Sequence, residues 1–260
     1  MSAATARGFQ GAVTAWLVPA VLVLAWQAAS SAQMLPSTIL PAPVAVIEAA
    51  IRLTQSGELE LNLGVSFLRA LAGLVLGGSI GFGLGLLNGL SRLSAGLLDP
   101  TLQMVRNVPH LALIPLVIVW FGVEESARIF LVALGVFFPI YLNTFHGVRS
   151  VDPQLVEMGR AYGMSNAQLI RRIVLPGALP SVFVGLRFAL GVMWLTLIVA
   201  ETIGASSGIG YMAMAAREFV QTDVIVLSIL IYALLGKLAD GFTRLLEHNL
   251  LAWNVAYARN

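Results

Sequence analysis

The groups in this sequence that could do chemistry are few, and their spacing excludes most kinds of it. There is no Cys among its 260 residues, so disulfides and thiolate metal sites are excluded. The single Lys, Lys237, is followed by Leu238, and no G-x-x-x-x-G-K-[ST] run occurs, so this chain is not expected to hydrolyse ATP. No G-x-S-x-G, His cluster or pair of acids in a polar setting suggests catalysis, and no metal or cofactor is expected. What remains are polar groups set within apolar runs, where an ionisable side chain must be paired or face water. Arg187 and Asp240 lie at similar depth in two such runs, roughly 10 Å in at 1.5 Å per residue, and are expected to form a structural pair. Glu201 lies near the end of its run. It is expected to accept a hydrogen bond from a neighbouring helix or to serve at a gate. Asn107, His110, Trp120, Thr144, Trp194 and Thr196, with Glu201, are the candidate lining of a substrate pathway. Asn107 and His110, three apart, share one helix face.

These residues need elements to position them. The chain is 58% hydrophobic and 11% charged, far from the quarter charged of a soluble domain. Its apolar runs approach or exceed 18 residues, so it reads as an all-α, multi-span membrane protein in a lipid bilayer. Six transmembrane helices are expected at about 12–32, 63–90, 107–121, 127–147, 181–203 and 223–246, in one domain. The first run could instead be a signal peptide ending at Ala28–Ala32. Its length, and Trp16 and Trp26 as interfacial anchors, favour a span. Gln33–Asn62 reads as a polar interlude with a short amphipathic helix, Ala45–Thr54. Ser91–Arg106 reads as a charged link. In the second run Gly73, Gly77, Gly81, Gly85 and Gly89 recur every four residues, a stripe that lets another helix approach closely, within the subunit or from a second copy.

Charge sets the orientation. With both termini cytoplasmic, the inner loops hold Arg7, Arg92, Arg106, Arg149, Arg160, Arg171, Arg172, Arg244 and Arg259. The outside holds Arg52, Arg69, Arg128 and Arg217. The sequence pI near 9.3 follows from this bias and requires no nucleic acid.

The longest inner segment, 151–180, reads as more than a tether. It predicts a helix over Leu155–Tyr162, a break at Gly163, then a helix over Asn166–Val174 with Ser165 as its N-cap. Pro176 is expected to end that helix and to push Leu175 towards an extended conformation. The pattern Glu157-x-x-x-Ala161-x-Gly163, nine residues, then Ile173-x-Leu175-Pro176 resembles the EAA loop of binding-protein-dependent ABC importer permeases. Met158 and Gly159 stand where the common form has Ala twice, and Gly159 is expected to loosen the turn. Arg106–Gly122, Phe138–Arg149 and Arg187–Ile203 resemble permeases of the sulfonate, taurine and nitrate group, and the alkanesulfonate permeases most of all. The likeness runs from about Trp16 to Tyr257.

The resemblance implies a type I ABC importer permease fold in the bacterial inner membrane. It implies a homodimer, a cytoplasmic ABC ATPase docked on the EAA loops, and a periplasmic binding protein delivering an anion. Glu157 and Arg160 would bond the ATPase, Ala161 would permit close contact, and Gly163 would permit the turn. Ile173, Leu175 and Pro176 would pass the motion into the fifth span. Aliphatic sulfonates are the favoured substrate, with taurine or nitrate as alternatives. An ATP-independent secondary transporter or a membrane-embedded enzyme would be alternatives of another class. The former would show an internal repeat, and none is evident between residues 1–130 and 131–260.

Overall fold

The computed structural model describes residues 3–253, with side chains from Leu17 onward; Arg7, Trp16 and Arg259 fall outside the described side chains. The described chain is helical throughout: α1 Ala3–Ser31, α2 Pro43–Gln55, α3 Glu58–Leu90, α4 Arg92–Arg106, a 3₁₀ turn His110–Leu113 leading into α5 Ile114–Phe121, and α6 Glu125–Arg149. Then come α7 Pro153–Ala161, α8 Asn166–Leu169, a π turn Ile170–Val174, α9 Leu175–Glu201, α10 Ile209–Glu218 and α11 Thr222–Leu250.

It divides into two units. In the first, which comprises residues up to Asn62 together with Met212–Ile231, α2 buries Val46, Ala49 and Leu53 at helical spacing. Glu48 and Arg52 point outward, and Arg52 Nη2 pairs with Asp223 Oδ2 at 3.0 Å.

The second unit, Leu63–Tyr211 with Tyr232 onward, is built on α3, α6 and α9. The glycine stripe of α3 packs against α6. A Cβ on Gly77 would strike the Ala133 carbonyl. One on Gly81 would lie 2.6 Å from the Phe137 carbonyl oxygen, and one on Gly89 2.7 Å from the Val148 side chain. These contacts lie within the chain. The α6–α9 crossing is as close: a Cβ on Gly185 would meet Asn143 Cβ at 2.6 Å, and one on Gly147 would meet Ser181 Cβ at 2.8 Å. Ser181 Oγ donates to the Asn143 carbonyl at 2.8 Å, tying the two helices where they touch.

Among the described residues four helical stretches are long and apolar enough to cross a membrane: Glu58–Leu90, Glu125–Arg149, Asn166–Glu201 and Thr222–Leu250. Arg92–Arg106 with His110–Phe121 makes a fifth if the pair, bent by 81°, is one span; among the described residues Leu17–Ser31 is a shorter apolar helix. The segment expected over 107–121, interrupted by Pro109 and Pro115, corresponds to the 3₁₀ turn and α5, the second arm of this bent pair. Ser91–Arg106 is a helix and not a link. Ser91 Oγ caps it by accepting from Ser94 N, and its polar residues bind their neighbours. Asp99 Oδ1 accepts from Tyr141 Oη at 2.7 Å, while Tyr141 Oη accepts from Asn88 Nδ2 at 2.8 Å. Pro109 supplies the break, because it has no amide with which to continue α4.

Pro176 does not end a helix. Leu175 is helical (φ −62°, ψ −50°), and Asn166–Glu201 runs on through the π turn. A proline ring normally collides with the carbonyl four residues earlier. Widening the preceding turn to π geometry makes room for it and keeps the helix continuous.

Candidate functional site

The segment after α6 is a compact helix–turn–helix. Asp152 Oδ1 caps α7 by accepting from Gln154 N at 2.8 Å. Gly163 sits at φ +76°, where an L side chain is strained, and its amide donates to the Arg160 carbonyl at 2.9 Å. Ser165 and Gln168 form a reciprocal capping box that starts α8. Gly159 proves to be a packing position and not a loosened turn. A Cβ there would lie 2.6 Å from Leu169 Cδ2 and 2.7 Å from Ile173 Cδ1, so its bareness lets α7 cross the following helix. Val148, Val174 and Ala178, with Val151 and Val156 packed on them, fix the element to the ends of α6 and α9. Glu157, Arg160, Ala161 and Gly163 are exposed, and Ile173, Leu175 and Pro176 are half-buried. Leu155, Met158 and Tyr162, one helix face of α7, are exposed as well.

The candidate pathway residues do not converge. Asn107 is exposed as the C-cap of α4, and Trp120 is exposed on α5. Thr144 is fully buried on α6 against the α3 stripe; a Cβ on Gly85 would lie 2.7 Å from its Cβ. Trp194 is buried and meets the Tyr232 ring edge-on at 6.4 Å. His110 and Thr196 do meet, with Nε2 3.0 Å from Oγ1. His110 also lines an open groove of about 450 Å³ with Arg106, Asn143, Phe138, Val184, Phe188 and other apolar residues.

Glu201 is enclosed in a polar core, and sequence reasoning missed its partners. Arg69 Nη1 donates to its Oε1 at 2.8 Å, while Tyr232 Oη and Gly210 N donate to its Oε2, each at 2.9 Å. Ser66 Oγ stands 2.8 Å from both oxygens. Arg69 reaches on through Nε to Glu125 Oε2 at 2.6 Å and through Nη1 to the Ser207 carbonyl, also at 2.6 Å. Arg128 Nη2 holds the Gly204 carbonyl at 2.7 Å. The cluster therefore clamps the 204–210 turn onto α3, α6 and α9. Arg69 and Arg128, assigned to outer loops on charge alone, are buried with carboxylate partners. Placing Glu201 near Arg69 required the tertiary fold, since 132 residues separate them.

Arg187 Nε lies 3.4 Å from Asp240 Oδ1, as the depth argument anticipated, and its Nη2 lies 2.5 Å from Glu247 Oε2. Glu247 was not anticipated; its place seven residues, two turns, beyond Asp240 on α11 was the available signal.

Residues 73–251 match the family model described as the binding-protein-dependent transport system inner membrane component. The chain is 60% identical to the putative aliphatic sulfonates transport permease protein SsuC of Escherichia coli (strain K12), covering 94% of this chain and 93% of that one. It is 46% identical to the protein of the same description from Bacillus subtilis (strain 168), over 93% and 87% of the two chains. It is 35% identical to the taurine transport system permease protein TauC of Escherichia coli (strain K12), over 90% and 87%. Among solved structures, a chain of the inward-facing MetNI methionine ABC transporter superposes with a TM-score of 0.53 at 20% identity, over 76% of this chain and 97% of that one, a likeness of fold. This chain belongs to the family of binding-protein-dependent ABC transport system inner membrane components, a multi-pass permease of the inner membrane.

Proposed function

We propose that this chain is the permease subunit of an ATP-driven importer of aliphatic sulfonates. It works as two copies of six spans each, with both termini cytoplasmic, a cytoplasmic ABC ATPase beneath them and a periplasmic binding protein above. The observation that carries the substrate reading is the 60% identity, along nearly the whole chain, to a relative described as a sulfonate permease, against 35% for a taurine permease. Family membership supports this reading over a secondary transporter or an enzyme.

Coupling is assigned to α7, the Gly163 turn and α8. Glu157 and Arg160 bond the ATPase, and the apolar face Leu155, Met158 and Tyr162 seats in its groove; Ala161 keeps the approach close. Closure of the ATPases displaces this rigid element. The unbroken helix from Asn166 to Glu201 carries the displacement past Ile173, Leu175 and Pro176 into the membrane. Anchoring at Val148, Val174 and Ala178 supports transmission, because a packed element moves as a body.

The test is co-purification of the ATPase with wild type, Glu157→Ala and Gly163→Val. A β-branched residue at φ +76° is strained and reorients the turn. The wild type holds the ATPase, while the variants insert in the membrane and lose it. Variants that hold the ATPase as well as wild type would remove the coupling assignment.

A further inference from the structure

We propose that the break between α4 and α5 carries the substrate's headgroup site: Arg106 and His110 hold the sulfonate, and Leu134, Phe138, Val184 and Phe188 receive its alkyl chain. This rests on the sulfonate reading above and goes beyond it, because it places selectivity in the permease itself.

Three observations lead there. The first is depth. The groove is lined along α6 from Leu134 to Asn143, and Gly135 lies 10 residues from Glu125 and 14 from Arg149, about 15 and 21 Å along the helix. Arg106, assigned to a cytoplasmic loop on charge alone, thus lines a groove that reaches the middle of an apolar helix. Broken helices at mid-depth are where transporters place binding sites, because the break frees polar groups that continuous helices keep engaged.

The second is charge. Among the described residues no carboxylate lies within 4.0 Å of Arg106, and no Asp or Glu lines the groove. A guanidinium without a carboxylate beside apolar walls favours an oxyanion, to which it can present two parallel N–H donors. His110 is oriented by Thr196 at 3.0 Å. With the Thr196 hydroxyl donating to Nε2, the imidazole carries its proton on Nδ1, which is then a second donor for the anion.

The third is shape. Arg106 and His110 line the groove together with Leu134, Phe138, Leu142, Val184 and Phe188, the amphiphilic pattern of an alkanesulfonate. Gly135 leaves room for the His110–Thr196 contact. A Cβ there would lie 2.9 Å from Thr196 Oγ1 and 3.4 Å from His110 Nε2.

The experiment is uptake of ethanesulfonate and octanesulfonate into proteoliposomes containing this chain, its ATPase and its binding protein. The variants are Arg106→Gln, Arg106→Lys and Val184→Trp, with retention of the ATPase on size exclusion checked for each. Arg106→Gln is expected to lower uptake of both sulfonates by about tenfold or more with the complex still assembled, and Arg106→Lys to retain the larger fraction. Val184→Trp is expected to lower octanesulfonate uptake relative to ethanesulfonate by about fivefold. Wild-type uptake by Arg106→Gln, or a wild-type chain-length ratio in Val184→Trp, overturns the groove while leaving the sulfonate reading in place. Failure of the wild-type complex to import either sulfonate overturns that reading, and the groove's occupant with it.

Discussion

Arg69 and Arg106 both sit on helices of an apolar bundle, and the fold treats them in opposite ways. The Arg69 side chain is 2% exposed, with Glu201, Glu125 and Ser207 around its guanidinium. Arg106 borders a groove and has no carboxylate partner among the described residues. Sequence places both next to apolar runs and distinguishes them poorly. The difference lies in what neighbouring helices supply. A charge whose donors are all engaged is a tie between elements, whereas one left open is available to a ligand. Arg187 stands between the two, paired with Asp240 and Glu247 but 43% exposed.

The comparison can be broken most forcefully at its closed end. Glu201→Ala leaves buried Arg69 with the partly exposed Glu125 as its remaining carboxylate partner and should cost about 3 kcal/mol, seen as loss of monodisperse protein and a large drop in unfolding temperature. Replacing Arg69 and Glu201 together by Leu should recover part of that loss, because the buried charge is gone. Closed contacts without charge behave similarly on a smaller scale. Gly77→Val forces α3 off α6 and should cost about 1–3 kcal/mol. Gly83→Ala on the same helix, with nothing within 4 Å of its Cβ, should be close to neutral in the same thermal assay. Arg187→Gln leaves the mostly buried Glu247 carboxylate poorly paired and should cost about 2 kcal/mol in thermal unfolding, less than Glu201→Ala. Arg244→Gln is the weakest test. Its guanidinium is 66% exposed and pairs with Asp240 one turn away, so the change should lie within about 0.5 kcal/mol.

What could be read without the structure follows the same division. Local signals were legible. The helix–Gly163–helix element and its Ser165 cap depend on residues a few positions apart, and the α3 stripe declares itself by period. The Arg187–Asp240 pairing was legible because depth along two helices is nearly a linear coordinate. Tertiary partners were not. Arg69 and Arg128 look like loop charges until Glu201, Glu125 and the 204–210 turn are folded against them. α4 looked like a link because Arg92, Asp99, Pro100 and Arg106 dilute its apolar content; the bond from Tyr141 to Asp99 that ties it to α6 is long-range. Pro176 misled because a proline predicts a helix end unless the turn before it widens. Gly159 looked like a loosening of the motif because the side chains it admits, Leu169 and Ile173, lie on the other helix. Of the candidate pathway residues, only His110 and Thr196 come together. Arg106, which lines the groove with His110, reads from the sequence as a loop charge.

The measurement that bears most directly on the account is ATP-dependent uptake by the reconstituted complex of this chain, its ATPase and its binding protein, with alkanesulfonate, taurine and nitrate offered separately. The account predicts alkanesulfonate accumulation that requires ATP and the binding protein, with taurine and nitrate taken up far more slowly. Accumulation independent of ATP, or a preference for nitrate or taurine, would contradict it.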